Sequence, residues 1–326
     1  MVEPTHPWLA EKASRLCREF DCGQLGHAPM LHGPRGIGKQ RLAHMLATSI
    51  LCQARTSSSQ PTERACGSCA ACQMISAASH PDFFVVSVLE DAKEIVVDQV
   101  RALIEKVALT PAAGKHRVVV IEAAERMNLN AANALLKTLE EPPNNVWLIL
   151  VSHAPGRLPP TVLSRCQKYA VQPPPIEVAR DWLDVQGGAF DSEQRRLALK
   201  LSAGAPCLAL EHLESGLTET AGSVLGVLVE IARGHGVRPD VPSQWAEQAH
   251  SVWTCLAHWI SELATAQVLT SESDQLTELL HKPHRGDWSG LWSSALEGLA
   301  TTDSGVRQDL LLGRWLLVWE SQWLSA

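Results

Sequence analysis

The chain is built around His32-Gly33-Pro34-Arg35-Gly36-Ile37-Gly38-Lys39-Gln40, which nearly completes a phosphate-binding loop. The pattern G-x-x-x-x-G-K-[ST] is met by Gly33, Gly38 and Lys39, but Gln40 stands at its last position. In a working loop, backbone N–H groups face the phosphates, the lysine neutralises their charge, and the Ser or Thr hydroxyl ligates Mg²⁺. A glutamine amide is a poor substitute for that hydroxyl, so the sequence predicts a phosphate cradle without its metal ligand. The predicted cradle residues are Gly33, Gly36, Gly38 and Lys39.

The elements on either side of the loop support this interpretation over a chance Gly-rich turn. Ala28 to His32 predicts a strand that leads into the loop, and Gly38 to Leu51 has the apolar spacing of a helix. Strands and helices then alternate, which predicts an α/β fold with a mostly parallel sheet covered by helices on both faces. The further predicted strands are Phe83–Val86, Arg117–Ile121 and Val146–Ser152. The further predicted helices are Pro7–Phe20, Val97–Leu109 and Ala131–Glu141, the last capped by Asn130 and ended by Pro142.

Pro173-Pro174-Pro175 marks the end of the alternating pattern, and only helices are predicted beyond it. We therefore expect three domains: the phosphate-loop domain (1–172), a small helical domain (173–213) and a larger all-helical domain (214–326). The predicted helices are Ile176–Val185, Ser192–Ser202, Pro206–Leu213, Ala246–Leu269 and Val306–Trp323. In the last of them an apolar stripe repeats every four residues, which indicates either a bundle core or a subunit contact. The stripe consists of Leu311, Trp315, Trp319 and Trp323.

Four of the nine cysteines are grouped within residues 52–72. They are Cys52, Cys66, Cys69 and Cys72. Thiolates at C-x2-C spacing chelate one tetrahedral ion, and Cys52 at the preceding helix end supplies a fourth ligand. An iron–sulfur cluster is the first alternative, but the expected C-P and a second cysteine run are missing. Buried or free cysteines are the second. We therefore predict a structural Zn²⁺ site in an insertion that also contains the polar segment Ser57–Pro61.

Composition excludes several classes of function. The 326 residues are 45% hydrophobic and 19% charged, which is typical of a globular chain of two or three domains. The formal net charge of −7 argues against a protein that grips nucleic acid over most of its surface. No run has the length of a membrane span, and Met1–His6 lacks the basic and apolar parts of a signal peptide. We expect a cytoplasmic protein.

Four motifs occur in one order along the chain: the phosphate loop, the cysteine set, a segment A-N-A-L-L-K-T-L-E-E-P-P at Ala132–Pro143, and Leu163-Ser164-Arg165-Cys166. Together they resemble the bacterial clamp-loader family of AAA+ proteins. The resemblance covers about residues 7–213 and implies an AAA+ P-loop domain followed by a helical lid. For the last third it implies only a helical collar domain that holds a ring of subunits together.

The clamp-loader family has motor subunits that hydrolyse ATP and a related subunit that usually does not. Three departures from the motors imply the second kind. Gln40 replaces the Mg²⁺-binding hydroxyl, Ala123 follows Glu122 where motors have Asp-Glu, and Ala203–Leu208 lacks the arginine that reaches a motor's own nucleotide. The loop then either holds ATP or ADP without turnover or holds none.

The arginine of Ser-Arg-Cys projects into the ATP site of the neighbouring subunit in this family, so the resemblance makes Arg165 an arginine finger in trans. A structural ion pair is the alternative. The implied partners are the motor subunits tau or gamma, the delta subunit and, through the assembly, the sliding β clamp and primed DNA. No membrane partner is expected.

Two other functions are kept beside this non-hydrolysing role in clamp loading. The first is an active clamp-loader ATPase, which requires Mg²⁺-dependent turnover by the isolated chain. The second is a zinc-dependent nucleic-acid-binding protein with a vestigial phosphate loop, which requires tight, salt-sensitive DNA binding.

Overall fold

The computed structural model describes residues 6–54, 65–90, 92–266, 287–302 and 304–323. These residues form two compact units. The first contains the described residues of Met1–Trp182 and Gly204–Leu208, and the second those of Leu183–Ala203 and Ala209–Ala326. The division into three domains at 172 and 213 is finer and stays a prediction. Among the described helices, none is long and apolar enough to cross a membrane.

A five-stranded sheet forms the centre of the first unit, in the order β2-β3-β4-β1-β5. Every neighbouring pair is parallel, as the alternation of strands and helices predicts. The strands are β1 (Pro29–His32), β2 (Phe83–Val86), β3 (Arg117–Ile121), β4 (Val146–Ser152) and β5 (Gln167–Ala170). Strand β5 is not predicted by the sequence, because this edge strand buries only Tyr169 and lacks an apolar run.

Both faces of the sheet are buried, and β3 shows this most directly. Val118 and Val120 enter one hydrophobic core, while Val119 and Ile121 enter the other. Successive side chains of a strand point to opposite faces, so a continuous β-branched run suits a strand covered on both sides. The helices of this unit are α1 (Ala10–Asp21), α2 (Lys39–Leu51), α3 (Ala70–Ser76), α4 (Val97–Val107), α5 (Leu129–Glu140) and α6 (Pro160–Leu163).

The start of α5 corrects the predicted cap. Asn128, not Asn130, is the N-cap residue, and its side chain accepts a hydrogen bond from the Ala131 N–H at 2.9 Å. The backbone at Asn128 is held by a contact outside the helix, because the Asn128 N–H donates to the Ile95 carbonyl at 3.1 Å. Asn128 therefore holds the extended conformation of a cap, and Asn130 falls in the first helical turn.

Beyond Pro175 the described residues contain helices and no strand, as predicted. The helices are α7 (Ile176–Gln186), α8 (Ser192–Leu201), α9 (Pro206–Glu214), α10 (Leu217–Glu230), α11 (Val241–Ala246), α12 (Ala249–Ala266), α13 (Trp288–Ala300) and α14 (Gln308–Ser321). The helix predicted over Ala246–Leu269 begins at Ala249, and its last predicted residues, 267–269, lie outside the described residues.

The tryptophan stripe of α14 belongs to the core of the second unit. Trp315 and Trp319 are buried there, and each indole N–H donates to a backbone carbonyl. The acceptors are Leu291 at 3.1 Å and Leu228 at 3.0 Å. A buried tryptophan needs such an acceptor, since an unpaired N–H in an apolar core is costly. The bundle-core interpretation of the stripe is confirmed.

We predict that Gly298→Ala destabilises the second unit by about 1–3 kcal/mol through overpacking. A Cβ at Gly298 in α13 would lie 2.4 Å from the ring of Trp253 in α12, which is itself buried. The matched control is Gly226→Ala in α10, where no described heavy atom lies within 4 Å of the added Cβ. The control should gain up to about 1 kcal/mol from helix propensity. Urea unfolding measures both, and equal effects would contradict the packing argument.

Candidate functional site

The predicted phosphate loop lies between β1 and α2 at the carboxyl edge of the sheet. Gly36 and Gly38 have φ angles of +73° and +84°, in the left-handed region that favours glycine. Gly38 is also the residue from which α2 begins. The local geometry is therefore that of a strand, a tight glycine turn and a helix, which is the arrangement that the motif requires.

Side chains and backbone of the same unit pack directly onto this loop. A Cβ at Gly38 would lie 2.5 Å from the His6 ring and 3.0 Å from Leu9. A Cβ at Gly36 would lie 2.2 Å from the Cβ of Leu208, and the Cys207 N–H donates to the Gly36 carbonyl at 2.9 Å. Two of the loop glycines thus face parts of their own chain at close range.

Several further contacts hold the N-terminal part of this packing in place. The Trp8 indole N–H donates to the Ile37 carbonyl at 3.0 Å. The rings of His6 and Trp8 stack with centroids 4.7 Å apart, and His6 is 3.4 Å from the Cys207 sulfur. His6 is consequently buried although it stands at the beginning of the described chain.

The loop lysine is turned toward its own loop. Lys39 is only 2% exposed, and its Nζ donates to the carbonyl oxygens of Gly33, at 2.7 Å, and of Pro34. Burial disfavours the charged ammonium and lowers the pKa of Lys39 to about 8. The cation that would neutralise a phosphate is therefore committed to backbone carbonyls.

Gln40, which stands where the motif has Ser or Thr, contacts an acidic residue. The Gln40 side-chain amide donates to the Glu122 carboxylate at 3.3 Å, and His44 Nε2 lies 3.0 Å from the same carboxylate. The next residue, Ala123, is left-handed at φ +48° and carries no carboxylate. A non-glycine residue in this conformation is uncommon and strained. Ala123 therefore has an unusual backbone conformation and no side-chain group that could position a water molecule.

Arg165 lies between α6 and β5, and it does form an ion pair, with Glu140 at the end of α5. Its Nη1 also donates to the Thr161 carbonyl at 2.8 Å. The side chain of Arg165 is 33% exposed, so it is anchored but still reaches solvent. The ion pair is therefore present, and the finger role of Arg165 stays a prediction.

The four cysteines predicted as ligands come together at the end of α2 and the start of α3. Their sulfur atoms all lie within 4.8 Å of one another, and those of Cys52 and Cys69 are 3.9 Å apart. A tetrahedral ion with bonds of about 2.3 Å places its sulfur ligands about 3.8 Å apart. This spacing fits one ion, and these four residues could hold a metal ion. Residues 55–64, including Ser57–Pro61, lie outside the described residues.

Backbone N–H groups already surround the cluster. The Cys66 N–H donates to the Cys52 sulfur at 3.3 Å, and the Cys69 N–H donates to the Cys66 sulfur at 3.2 Å. Hydrogen bonds from Ser68 and Cys69 lower the pKa of Cys66 to about 6. Thiolates are the form that binds metal, and N–H···S bonds of this kind favour them.

Three residues that contact the predicted site residues are not predicted by the sequence: His6, Leu208 and Glu140. No spacing rule connects His6 or Leu208 to the loop, because both reach it only through the tertiary fold. Glu140 did lie inside a recognised segment, and its acidic charge at a helix end was the one available signal.

Comparison with known proteins now identifies the family. The family described as "DNA polymerase III, delta subunit" matches residues 9–175. The DNA polymerase III subunit delta′ of Pseudomonas aeruginosa is 41% identical over 240 residues, which cover 74% of this chain and 71% of that protein. The chain belongs to the DNA polymerase III delta′ family. The subunit delta′ of Yersinia pestis is 31% identical over 97% of this chain and 95% of that protein.

This delta′-family chain is also similar to other subunits of DNA polymerase III. The DNA polymerase III subunit tau of Bacillus subtilis is 36% identical over 146 residues, covering 45% of this chain and 24% of that protein. A gamma subunit-related protein of DNA polymerase III from Thermotoga maritima has a solved structure with a TM-score of 0.45 and 15% identity. That similarity covers 96% of this chain and 98% of the other. The predicted α/β fold with a parallel sheet, a cysteine cluster that could hold a metal ion and a helical C-terminal region is confirmed for the described residues.

We predict that Lys39 makes stability rise with pH above about pH 8. Its pKa of about 8 lies below the ordinary lysine value, so between about pH 8 and pH 10.5 the unfolded chain binds more protons than the folded chain. The free energy of unfolding should increase by about 3 kcal/mol over this interval from Lys39 alone.

Urea titrations at a series of pH values measure that increase. Lys39→Met should remove it, because no group titrates there, while the exposed control Lys115→Met should keep it. An unchanged pH dependence in Lys39→Met would contradict the burial argument.

Proposed function

We propose that this chain is a non-hydrolysing subunit of the DNA polymerase III clamp loader, which helps to load the sliding β clamp onto primed DNA. The observation that carries the proposal is the packing of His6, Leu9 and Leu208 against the loop glycines. These contacts place side chains of the same unit against the glycines from which a phosphate cradle would be built. A loop covered by its own unit and lacking a metal ligand is unsuited to binding Mg²⁺ and nucleotide together.

Two further features support the loss of hydrolysis. The Gln40 amide contacts the Glu122 carboxylate directly, in the place where a motor has a hydroxyl, a Mg²⁺ ion and an acid. Ala123 offers no carboxylate to orient an attacking water. We infer that this chain neither binds ATP productively nor turns it over.

The second part of the proposal concerns the ATP site of a neighbouring subunit. Arg165 is proposed as an arginine finger that enters the ATP site of an adjacent motor subunit, tau or gamma. Its guanidinium is planar, permanently charged and partly exposed, which are the properties that neutralise charge on a transferring phosphoryl group. The delta subunit completes the proposed ring, and the helical region 214–326 is proposed as the collar that holds it together.

The wider setting follows from this role. The ring is proposed to act in the cytoplasm, where the β clamp and the primed DNA are contacted through the assembly. The formal charge of −7 suits a subunit whose own contact with DNA is weak.

The cysteine cluster is proposed as a structural zinc site. The four sulfurs fit the tetrahedral spacing of Zn²⁺, and a set of four thiolates leaves no open position for a substrate or a water. When bound, the ion would supply a cross-link rather than chemistry. Cys52, Cys66, Cys69 and Cys72 would tie the insertion to the end of α2.

We predict about one zinc per chain, and loss of that zinc in Cys69→Ser with local destabilisation. Removing one thiolate from a four-thiolate site weakens binding strongly, because a structural site uses all four ligands. Elemental analysis and thermal unfolding measure metal content and stability. The matched control is Cys22→Ser, an exposed cysteine outside the cluster, which should keep the metal. Iron with visible absorbance, or zinc retained in Cys69→Ser, would contradict the assignment.

The finger is tested by clamp- and DNA-stimulated ATP turnover of the reconstituted loader with Arg165→Ala. Fingers of this kind contribute about 10³–10⁵ in rate in GTPases, so turnover at the neighbouring site should fall by about 10³. Arg157→Ala changes a nearby exposed arginine in the same segment and should leave turnover unchanged.

Gel filtration must show that the complex assembles, because failed assembly would also lower the rate of ATP turnover. Unchanged turnover in an assembled Arg165→Ala complex would remove the finger from the mechanism. Turnover by this chain alone, abolished by Lys39→Ala, would instead make it an active ATPase. Tight DNA binding by the chain alone that is lost in Cys69→Ser would favour the nucleic-acid-binding alternative.

A further inference from the structure

Arg165 is held by contacts that leave part of its guanidinium unused. Nη1 donates to the Thr161 carbonyl at 2.8 Å and lies 3.3 Å from the Ser164 hydroxyl, while Nη2 donates to Glu140. Each Nη atom carries two N–H groups. At least one N–H on Nη2 is therefore uncommitted when the contact with Glu140 is made.

Glu140 lies at the C-terminus of α5, where an acidic residue destabilises the helix. It is the last residue of α5, and Glu141 follows directly. Carboxylates at a helix C-terminus oppose the helix dipole. Helix stability therefore does not account for a glutamate at this position, whereas its contact with Arg165 does.

The two partners stand on different elements of the first unit. Glu140 ends the long helix α5, and Arg165 follows the short helix α6, which packs against α5. The side chain of Glu140 is 49% exposed and that of Arg165 is 33% exposed. A partly exposed pair of this kind contributes little to stability. Its effect is to keep a long, flexible side chain in one orientation.

We propose that Glu140 is a positioning residue that holds the Arg165 guanidinium ready for a phosphate group of a neighbouring subunit. This inference rests on the proposed finger role of Arg165. An unrestrained arginine loses much rotamer freedom when it binds, and the Glu140 contact removes part of that loss beforehand. The phosphate then binds the uncommitted N–H of Nη2 without displacing Glu140.

The test is a double-mutant cycle in the reconstituted loader with Glu140→Gln, Arg165→Ala and the pair together. Glutamine keeps the size of the side chain and removes its charge. We expect Glu140→Gln to lower the kcat of stimulated ATP turnover about tenfold, with the KM for ATP within about twofold of wild type. In the Arg165→Ala background the same change should have no further effect, since Glu140 acts through Arg165. Glu141→Gln is the matched control and should leave kcat unchanged.

Two readouts separate positioning from a structural role. Thermal unfolding of Glu140→Gln should match or exceed that of wild type, because a charge that opposes the helix dipole is removed. In the isolated chain, the ¹⁵N relaxation of the Arg165 Nε–H group should report faster motion in Glu140→Gln and no change in Glu141→Gln. A lowered melting temperature with unchanged Arg165 motion would overturn the proposal.

The outcomes also separate this proposal from the one on which it rests. If Arg165→Ala lowers turnover and Glu140→Gln does not, only the positioning role fails. If Arg165→Ala leaves turnover unchanged in an assembled loader, the finger fails and the positioning role fails with it. If Glu140→Gln lowers turnover equally with and without Arg165, Glu140 acts by another route and the proposal is wrong.

Discussion

The buried ion pair between Asp82 and Arg117 fixes the part of the fold on which the rest depends. Both side chains lie below the surface, and Arg117 Nη2 donates to the Asp82 carboxylate at 2.8 Å. Burial alone would raise the pKa of Asp82. Hydrogen bonds from Ala113, Ala112 and Arg117 nevertheless hold that pKa below its ordinary value. Breaking such a pair by removing one partner costs about 3–5 kcal/mol, so the register of β2 and β3 is strongly fixed. The carboxyl end of β3, and with it Glu122 and Ala123, is placed by this register.

The altered phosphate loop is a consistent set of substitutions rather than one lost residue. A motor separates its acid from its hydroxyl by a metal ion, whereas here the Gln40 amide contacts Glu122 directly. Lys39 donates to carbonyls of its own loop, and Leu208 packs on Gly36 from the segment where motors carry an arginine. A buried lysine and a partly buried acid both need polar partners, and here residues of the same unit supply them. Ala123 is left-handed and carries no carboxylate.

The sequence predicts those parts of the structure that local patterns control. Strand β3 is recognisable because every residue from Arg117 to Ile121 is buried, whereas β5 is missed because an edge strand needs no apolar run. The cysteine cluster follows from spacing alone, since four thiolates within a short segment have few other uses. The contacts of His6 and Leu208 with the loop depend on the tertiary path of the chain, which no periodicity encodes. The sequence predicts the helix cap at Asn130 rather than at Asn128, because both asparagines satisfy the preference for a cap residue.

Arg165 itself lies in the turn between α6 and β5, but its contacts come from the neighbouring helices. The proposed finger role requires a cation held within a narrow range of positions, and rigid elements do this better than flexible ones. Here α5 ends in the carboxylate that contacts the guanidinium, and α6 supplies the Thr161 carbonyl. The chain thus gives up a small amount of helix stability at Glu140 and gains an ordered, partly exposed cation. Under the proposed finger role, a chain that does not hydrolyse ATP itself still contributes to the chemistry of a neighbouring subunit.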